Sequence, residues 1–225
     1  MYLSDIHTHS IASGHGTSCT ISDMAKAASK KGLKLLGITD HGPGTLAAGT
    51  SSYFRSLTYA PKKRFGIELL FGAELNILDT EGHLDLNDEL LSELDYAIAS
   101  MHAQNYKSGT VEENTSAYLN AMRHPCVKVL GHCDNPAFPV DYETLAFGAK
   151  EYGVIFEINE ASLMPDGYRG DTRANNKEIL RYCRKLEIPI VLSSDSHGAE
   201  HVGEFTYGAE FVHEMMFPER LILNN

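Results

Sequence analysis

The sequence predicts one parallel α/β domain, and two periodicities carry that prediction. Short apolar runs alternate with amphipathic stretches seven times along the 225 residues, the order expected of strands joined by crossover helices. Residues of metal-ligand type recur at the ends of the apolar runs every ~30 residues, the length of one βα unit. No repeated motif, low-complexity tract or linker interrupts the alternation, so residues 1–225 read as a single domain.

The first strand is expected over 2–6. A Gly/Ser/Thr loop follows, then a helix in which Ile21, Met24, Ala25 and Ala28 share one face. Thr20 and Asp23 have the spacing of a capping box, and Gly32 supplies a C-terminal stop. Further buried strands are predicted over 33–39, 67–78, 96–101, 127–131, 154–159 and 188–193. Helical patterns over 114–123, 141–152 and 175–186 lie between them, the last with Ile179, Cys183 and Leu186 on one face. Residues 42–66 form the longest irregular stretch, carrying Arg55, Lys62, Lys63 and Arg64 where a substrate loop would hang. Beyond residues 217–221 little remains for a C-terminal helix.

Apolar residues (AVILMFWYC) make up 43% and charged residues 22%, which excludes intrinsic disorder and allows a large core. No apolar run nears the ~20 residues of a membrane-spanning helix. The first residues have neither the basic nor the apolar region of a signal peptide, so a cytoplasmic address is expected. Nineteen Lys and Arg against 30 Asp and Glu leave a formal charge of −11, which argues against nucleic acid as a partner. A metal site would reverse the local sign and still admit a small anionic substrate. The four cysteines form no C-x-x-C pair and read as reduced thiols, neither a disulfide frame nor a thiolate zinc site. The outlier in the composition is histidine, with eleven.

Placed on the predicted strands, seven of those histidines fall in register with two acids. His7 and His9 form an H-x-H at the end of the first strand, and His15 follows in its loop. Asp40-His41 ends the second strand, Glu74 lies late in the third, and His102 and His132 end the fourth and fifth. The sixth ends in Glu157-Ile158-Asn159-Glu160, and Ser194-Asp195-Ser196-His197 ends the seventh. Parallel strands arranged as a barrel bring their C-terminal ends to one face, so these residues converge on one pocket. In H-x-H the two imidazoles project to the same side of a strand. Imidazole suits Zn and Fe, and carboxylate oxygens are also accepted by Mn and Fe. A lone strand-end histidine is most often structural; nine ligand-type residues in register are a metal site. His83, His124, His201 and His213 lie in turns, at a helix end or in the tail and are read as structural or solvated.

The stretches Asp5-Ile6-His7-Thr8-His9 with His15, Ile38-Thr39-Asp40-His41, Gly72-Ala73-Glu74, Met101-His102, Gly131-His132 and Ser194-Asp195-Ser196-His197 resemble the motifs of PHP-domain proteins, the polymerase and histidinol phosphatase family. The resemblance covers essentially the whole chain, is nearest the YcdX-like phosphatase branch, and misses no ligand position. It implies a distorted seven-stranded (β/α)7 TIM-like barrel and a cytoplasmic phosphatase with three divalent transition-metal ions, Zn foremost and Mn or Fe as alternatives. His7, His9, Glu74 and Asp195 resemble ligands of a first ion. Glu74, His102 and His132 resemble those of a second, with Glu74 bridging. His15, His41 and His197 resemble those of a third. Glu74 and Asp195 are then catalytic through the ions, which turn water into the nucleophile and neutralise charge on the leaving oxygen. Asp5 and Asp40 are candidates for orienting the imidazoles. Two loops depart from the branch, 53–65 and 163–173. The second carries Arg169 and Arg173, either able to grip phosphate bidentately, with Arg169 preferred.

The leading function is hydrolysis of a small phosphorylated metabolite, a phosphomonoester, at a three-ion site. The competitors are a PHP-type nuclease, which lacks a visible basic track here, and a non-catalytic metal-binding module, which a complete ligand set opposes. An amidohydrolase also begins with H-x-H in a barrel, but the third strand here carries Glu74 where those enzymes usually use a bridging lysine. The physiological alcohol is not legible in composition, and a homo-oligomer and a monomer are both compatible with it.

Overall fold

A computed structural model describes residues 2–224 of the chain. Eleven strands form among them: β1 (Ser4–Asp5), β2 (Thr8–His9), β3 (Leu35–Ile38), β4 (Lys63–Arg64), β5 (Ile67–Phe71), β6 (Ala73–Asn76), β7 (Ala97–Ser100), β8 (Val127–Leu130), β9 (Ile155–Asn159), β10 (Ile190–Ser193) and β11 (Ser196–His197). The helices are α1 (Ile21–Lys30), α2 (Ser51–Leu57), α3 (Asp88–Leu91), α4 (Val111–Ala121), α5 (Tyr142–Tyr152), α6 (Glu160–Leu163), α7 (Arg173–Leu186) and α8 (Thr206–Glu214). No helix is long and apolar enough to cross a membrane.

The parallel α/β prediction holds, but hydrogen bonding divides the strands into three sheets, not one. They run β1-β3-β5-β4, β10-β9-β8-β7-β6 and β11-β2. Every pairing is parallel except that of β4 with β5. The strand predicted over 67–78 breaks at Gly72. Its first half pairs with β3 and its second with β7. A Cβ on Gly72 would lie 2.6 Å from the Tyr96 carbonyl, so only glycine lets the chain turn this corner against β7. The first strand breaks likewise at Ile6-His7, handing its pairing from β3 to β11. At the opposite end β1 and β10 are joined through Asn224. Its side chain donates to the Ser4 and Leu192 carbonyls and accepts from the Leu192 N–H.

Side-chain caps open several of the helices. The Thr20/Asp23 capping box opens α1 as expected, and Gly32 follows with φ +86°. A second box, Thr110 with Glu113, starts α4 at Val111, ahead of the predicted start. Asp141 caps α5. One expectation fails. The stretch 42–66 is not irregular throughout, because Phe54 and Leu57 are buried and fold it into α2, and β4 follows. A helix not predicted, α8, forms ahead of 217–221, where Phe211 and Val212 bury its face. The large core lies between strands and helices. A smaller cluster of Tyr96, Ile98, Val129 and Val191, with Ile6, Leu70 and Ile155 against it, lies on the other face of the strands. Period-2 alternation explains the division: Ile155, Glu157 and Asn159 share that inner face, while Phe156 and Ile158 face the helices.

Candidate metal centre

All nine predicted ligand-type residues meet at the C-terminal ends of the parallel strands. Glu74, wholly buried in β6, is the hub. One oxygen, Oε1, lies 2.8 Å from His132 Nε2 and 3.3 Å from His102 Nε2. The other, Oε2, lies 2.7 Å from His41 Nδ1, 3.5 Å from His7 Nε2 and 3.6 Å from His9 Nε2. Asp195 Oδ1 approaches His9 Nε2 at 3.1 Å and His7 Nε2 at 3.6 Å. His41 Nε2 is 3.4 Å from His197 Nε2. His15 stacks on His41 at the rim, ring centroids 4.9 Å apart and planes 11° from parallel. A cavity of about 390 Å³ opens above the cluster.

The unsatisfied atoms of the donor set fit a metal. His7 Nε2, His9 Nε2, His41 Nδ1 and Glu74 Oε2 are buried, face one another and make no hydrogen bond. Leaving buried polar atoms unpaired costs about 1–3 kcal/mol each, so a group of them aimed at one point needs a common partner. Ligand atoms of His7, His9 and Asp195 lie within 4.8 Å of one another, as do those of His9, His41 and His197 and those of His41, Glu74 and His102. Imidazole and carboxylate donors at such spacing fit a divalent transition metal.

The opposite edges of the His7, His9 and His102 rings are held, and His132 is held through its backbone N–H. His7 Nδ1 is 2.6 Å from Glu157 Oε1, and Glu157 Oε2 accepts from the His132 N–H at 2.7 Å and from Asn159 Nδ2 at 3.0 Å. His102 Nδ1 is 2.7 Å from Asn76 Oδ1. His9 Nδ1 meets Ser13 Oγ at 2.9 Å, and that hydroxyl donates to Asp40 at 2.7 Å. Asp40 thus acts on His9 through Ser13, and it also accepts from Ser10 and Tyr53. Asp5 touches no imidazole. It accepts from Ser194 and Gly203, tying the first strand to the loop after β10. His132 and Asp195 both sit in the left-handed region, with φ +28° and +53°. Such strain in non-glycine residues persists only where the surroundings over-determine it.

Electrostatics split the ligand set. Burial would lower His7 and His41, yet Glu157 and Glu74 hold His7 well above the ordinary imidazole range and Glu74 holds His41 above it, so without a metal these two rings are the ones that neutralise the carboxylates. Burial alone would raise Glu74, yet His102, His7 and His41 hold its carboxyl well below the usual range. Burial opposes ionisation of Asp195 too, and His7 and Arg169 overcome it. Burial pushes His132 down to about 4 and lowers His9 strongly, the latter aided by His197 and His41. Both rings are therefore neutral at pH 7, the form that coordinates metal.

Arg169 is in the site. It is buried on the cavity wall, with Nη1 3.1 Å from Asn159 Oδ1 and from Ser162 Oγ, and Nη2 2.8 Å from Asp195 Oδ2. Arg173 points outward to Glu214. In the basic loop, Lys62 pairs with Asp95 and Arg64 donates to Ser22, and none of the four basic residues lines the cavity. His83 and His201 are exposed beside Asp79 and Glu204, His124 lies beside Asp88, and His213 ends α8 in solvent. Sequence reasoning missed Glu157, Asn76 and Ser13. The available signal was Glu157, an acid placed by alternation on the inner face of an apolar strand.

Parallel strands that gather seven imidazoles and two carboxylates into one cluster, five of the imidazoles lining the cavity above it, define an α/β protein built around a polyhistidine–carboxylate centre. The chain belongs to the PHP-domain family: the family's profile covers residues 5–163, and one described as PHP-associated covers residues 173–211. It is 40% identical over 223 residues to a protein of Clostridium novyi named "Probable phosphatase", spanning 99% of this chain and 90% of that one. A Thermoanaerobacter protein of the same description is 40% identical over 221 residues, 98% of this chain and 89% of the relative. Among solved structures, histidinol phosphate phosphatase of Lactococcus lactis, complexed with Zn, L-histidinol and phosphate, superposes with a TM-score of 0.62. At 18% identity, over 96% of this chain and 95% of that one, the likeness is one of fold.

Proposed function

We propose that this phosphatase hydrolyses small phosphomonoesters at a three-ion centre. The chain is a hydrolase of phosphoric esters, like its relatives. The observation that carries the finer reading is the set of buried, unpartnered nitrogen and oxygen atoms around Glu74, opening onto a cavity that also carries Arg169. His7, His9, Glu74 and Asp195 would hold one ion, Glu74, His102 and His132 a second, and His15, His41 and His197 a third. Divalent Zn, Mn or Fe there supplies Lewis acidity, which activates water and neutralises phosphoryl charge. The chain supplies the rest. Glu74 turns one oxygen to each of two histidine groups and so sets their separation. Arg169, fixed by Asn159 and Ser162, presents its guanidinium to a phosphoryl oxygen.

The same reading takes the three sheets as one interrupted ring of seven staves, β1/β2, β3, β5/β6, β7, β8, β9 and β10/β11. It is supported by the inner cluster, to which six of the seven staves or the residues adjoining them contribute an apolar side chain. The second stave contributes Gly37, where a Cβ would come 2.1 Å from the Tyr96 hydroxyl. Residues 1–225 are read as one domain, since α7, beyond the end of the first profile match, packs on α5 and β9 within it. Four free cysteines accord with a cytoplasmic address.

The test is metal content and turnover together. Protein purified without chelator should hold more than two transition-metal ions per chain. p-Nitrophenyl phosphate should be hydrolysed, with activity lost to chelator and restored by Zn or Mn. Full activity with a single ion sinks the three-ion reading. Degradation of single-stranded DNA without turnover of any monoester transfers the assignment to a nuclease.

A further inference from the structure

The wall of the cavity above Glu74 is chemically uneven. Its charged or ligand-type groups are the imidazoles, Glu74, Asp195 and Arg169. The remainder, left for the alcohol half of an ester, is chiefly Met101, Gln104, Asn135, Ala137, Phe138 and Tyr168, the last with its ring under the Arg169 guanidinium at 4.5 Å. Among the described residues no carboxylate belongs to that remainder. Glu74 and Asp195 are the only acids on the cavity wall, and both face imidazoles, with Arg169 also on Asp195. The acids behind the wall are already engaged. Glu157 is wholly taken up by His7, the His132 N–H and Asn159, and Asp134 by Ser162 and Asn176.

From this asymmetry we infer that the alcohol released is electrically neutral, and that the pocket discriminates against cationic alcohols. The inference rests on the phosphatase reading and adds the substrate class. An ammonium there would lose hydration without a carboxylate counter-charge, while repelled by Arg169, which already occupies a face of the Tyr168 ring, and by the divalent ions the site would hold. A neutral alcohol is better served. Phe138 forms a buried apolar wall, the exposed Tyr168 ring stands at the mouth, and the Gln104 and Asn135 amides can both donate to and accept from hydroxyls. Histidinol, the alcohol held by the Lactococcus neighbour, is an amino alcohol with a cationic nitrogen. This chain is therefore built for a different alcohol, and Gln104 and Asn135 help determine which.

A matched pair of esters tests this: phosphocholine and its carbon isostere 3,3-dimethylbutyl phosphate, which share shape and phosphate and differ by one charge. With metal-reconstituted protein, kcat/KM should favour the neutral ester by about tenfold or more. Gln104→Glu, at an exposed position where folding is not at stake, should narrow that ratio by about threefold or more. Equal or faster turnover of phosphocholine overturns the inference while leaving the phosphatase reading intact. A ratio that Gln104→Glu does not move overturns the placement of the alcohol beside Gln104. If neither ester nor p-nitrophenyl phosphate turns over with Zn, Mn or Fe, the phosphatase reading itself falls, and this inference with it.

Discussion

Glu74 and Glu157 are two buried strand glutamates that both face His7, yet they sit in opposite kinds of surroundings. Around Glu74 Oε2 the ring nitrogens His7 Nε2, His9 Nε2 and His41 Nδ1 gather without hydrogen bonds, while Oε1 meets His132 Nε2 at 2.8 Å. Around Glu157 both carboxylate oxygens are paired, with His7, the His132 N–H and Asn159. The first region stores unmet bonding capacity, and the second uses its own to fix the His7 ring, the His132 backbone and the Asn159 amide. The contrast separates two jobs that burial alone does not distinguish: holding a ligand, and holding the residues that hold it.

Breaking the first region should cost most. Glu74→Gln keeps the size but removes the charge and one strong ligand oxygen. We expect kcat to fall by several orders of magnitude and metal content to drop with it, while circular dichroism stays native because the core is apolar. A variant with near-normal kcat and full metal would show that Glu74 is no bridge. Glu157→Gln should be intermediate. His7 would keep a weaker partner, so metal affinity or activity should fall about 10–100-fold. Titration with Zn or Mn should recover the activity at higher metal, an outcome not expected for Glu74→Gln. His15→Ala should be milder than either, because His15 lies exposed at the rim and stacks on His41 without touching Glu74. Kinetic constants and bound metal for these variants, measured side by side, would rank the two regions. The smallest effect lies outside both. Thr110→Ala opens the capping box of α4 and should cost ~1 kcal/mol, a Tm lower by about 2–4 °C with unchanged kcat.

The difference between the regions also explains what the sequence disclosed. His7, His9, His41, Glu74 and Asp195 were legible because ligand chemistry needs rare residue types at strand ends, and the βα repeat spaces them evenly. The parallel strand order was legible for the same reason. Glu157, Asn76 and Ser13 were not, because hydrogen-bonding partners can be any polar residue and no spacing marks them. The break at Gly72 was hidden as well, because the apolar run continues through it, and β2 lies past the predicted end of the first strand at Ile6; only close approach to Tyr96 and pairing with β11 reveal the changes of partner. The helices α2 and α8 escaped because tertiary burial of Phe54, Leu57, Phe211 and Val212 stabilises them, not a strong local signal.

The clasp at Asn224 bears on how the molecule is made. It bonds to Ser4 across 220 positions of sequence, and to Leu192 beside it. On a ribosome adding ~5–20 residues per second, Ser4 is synthesised more than about ten seconds before its partner. Once residues 35–41 have followed, β1 can take its β3 neighbour and the histidines of the first two staves are present, while the Asn224 clasp is still to be made. The nascent chain is thus a half-built chelator with an open strand edge, exposed to stray metal and to pairing with another chain until residue 224 emerges.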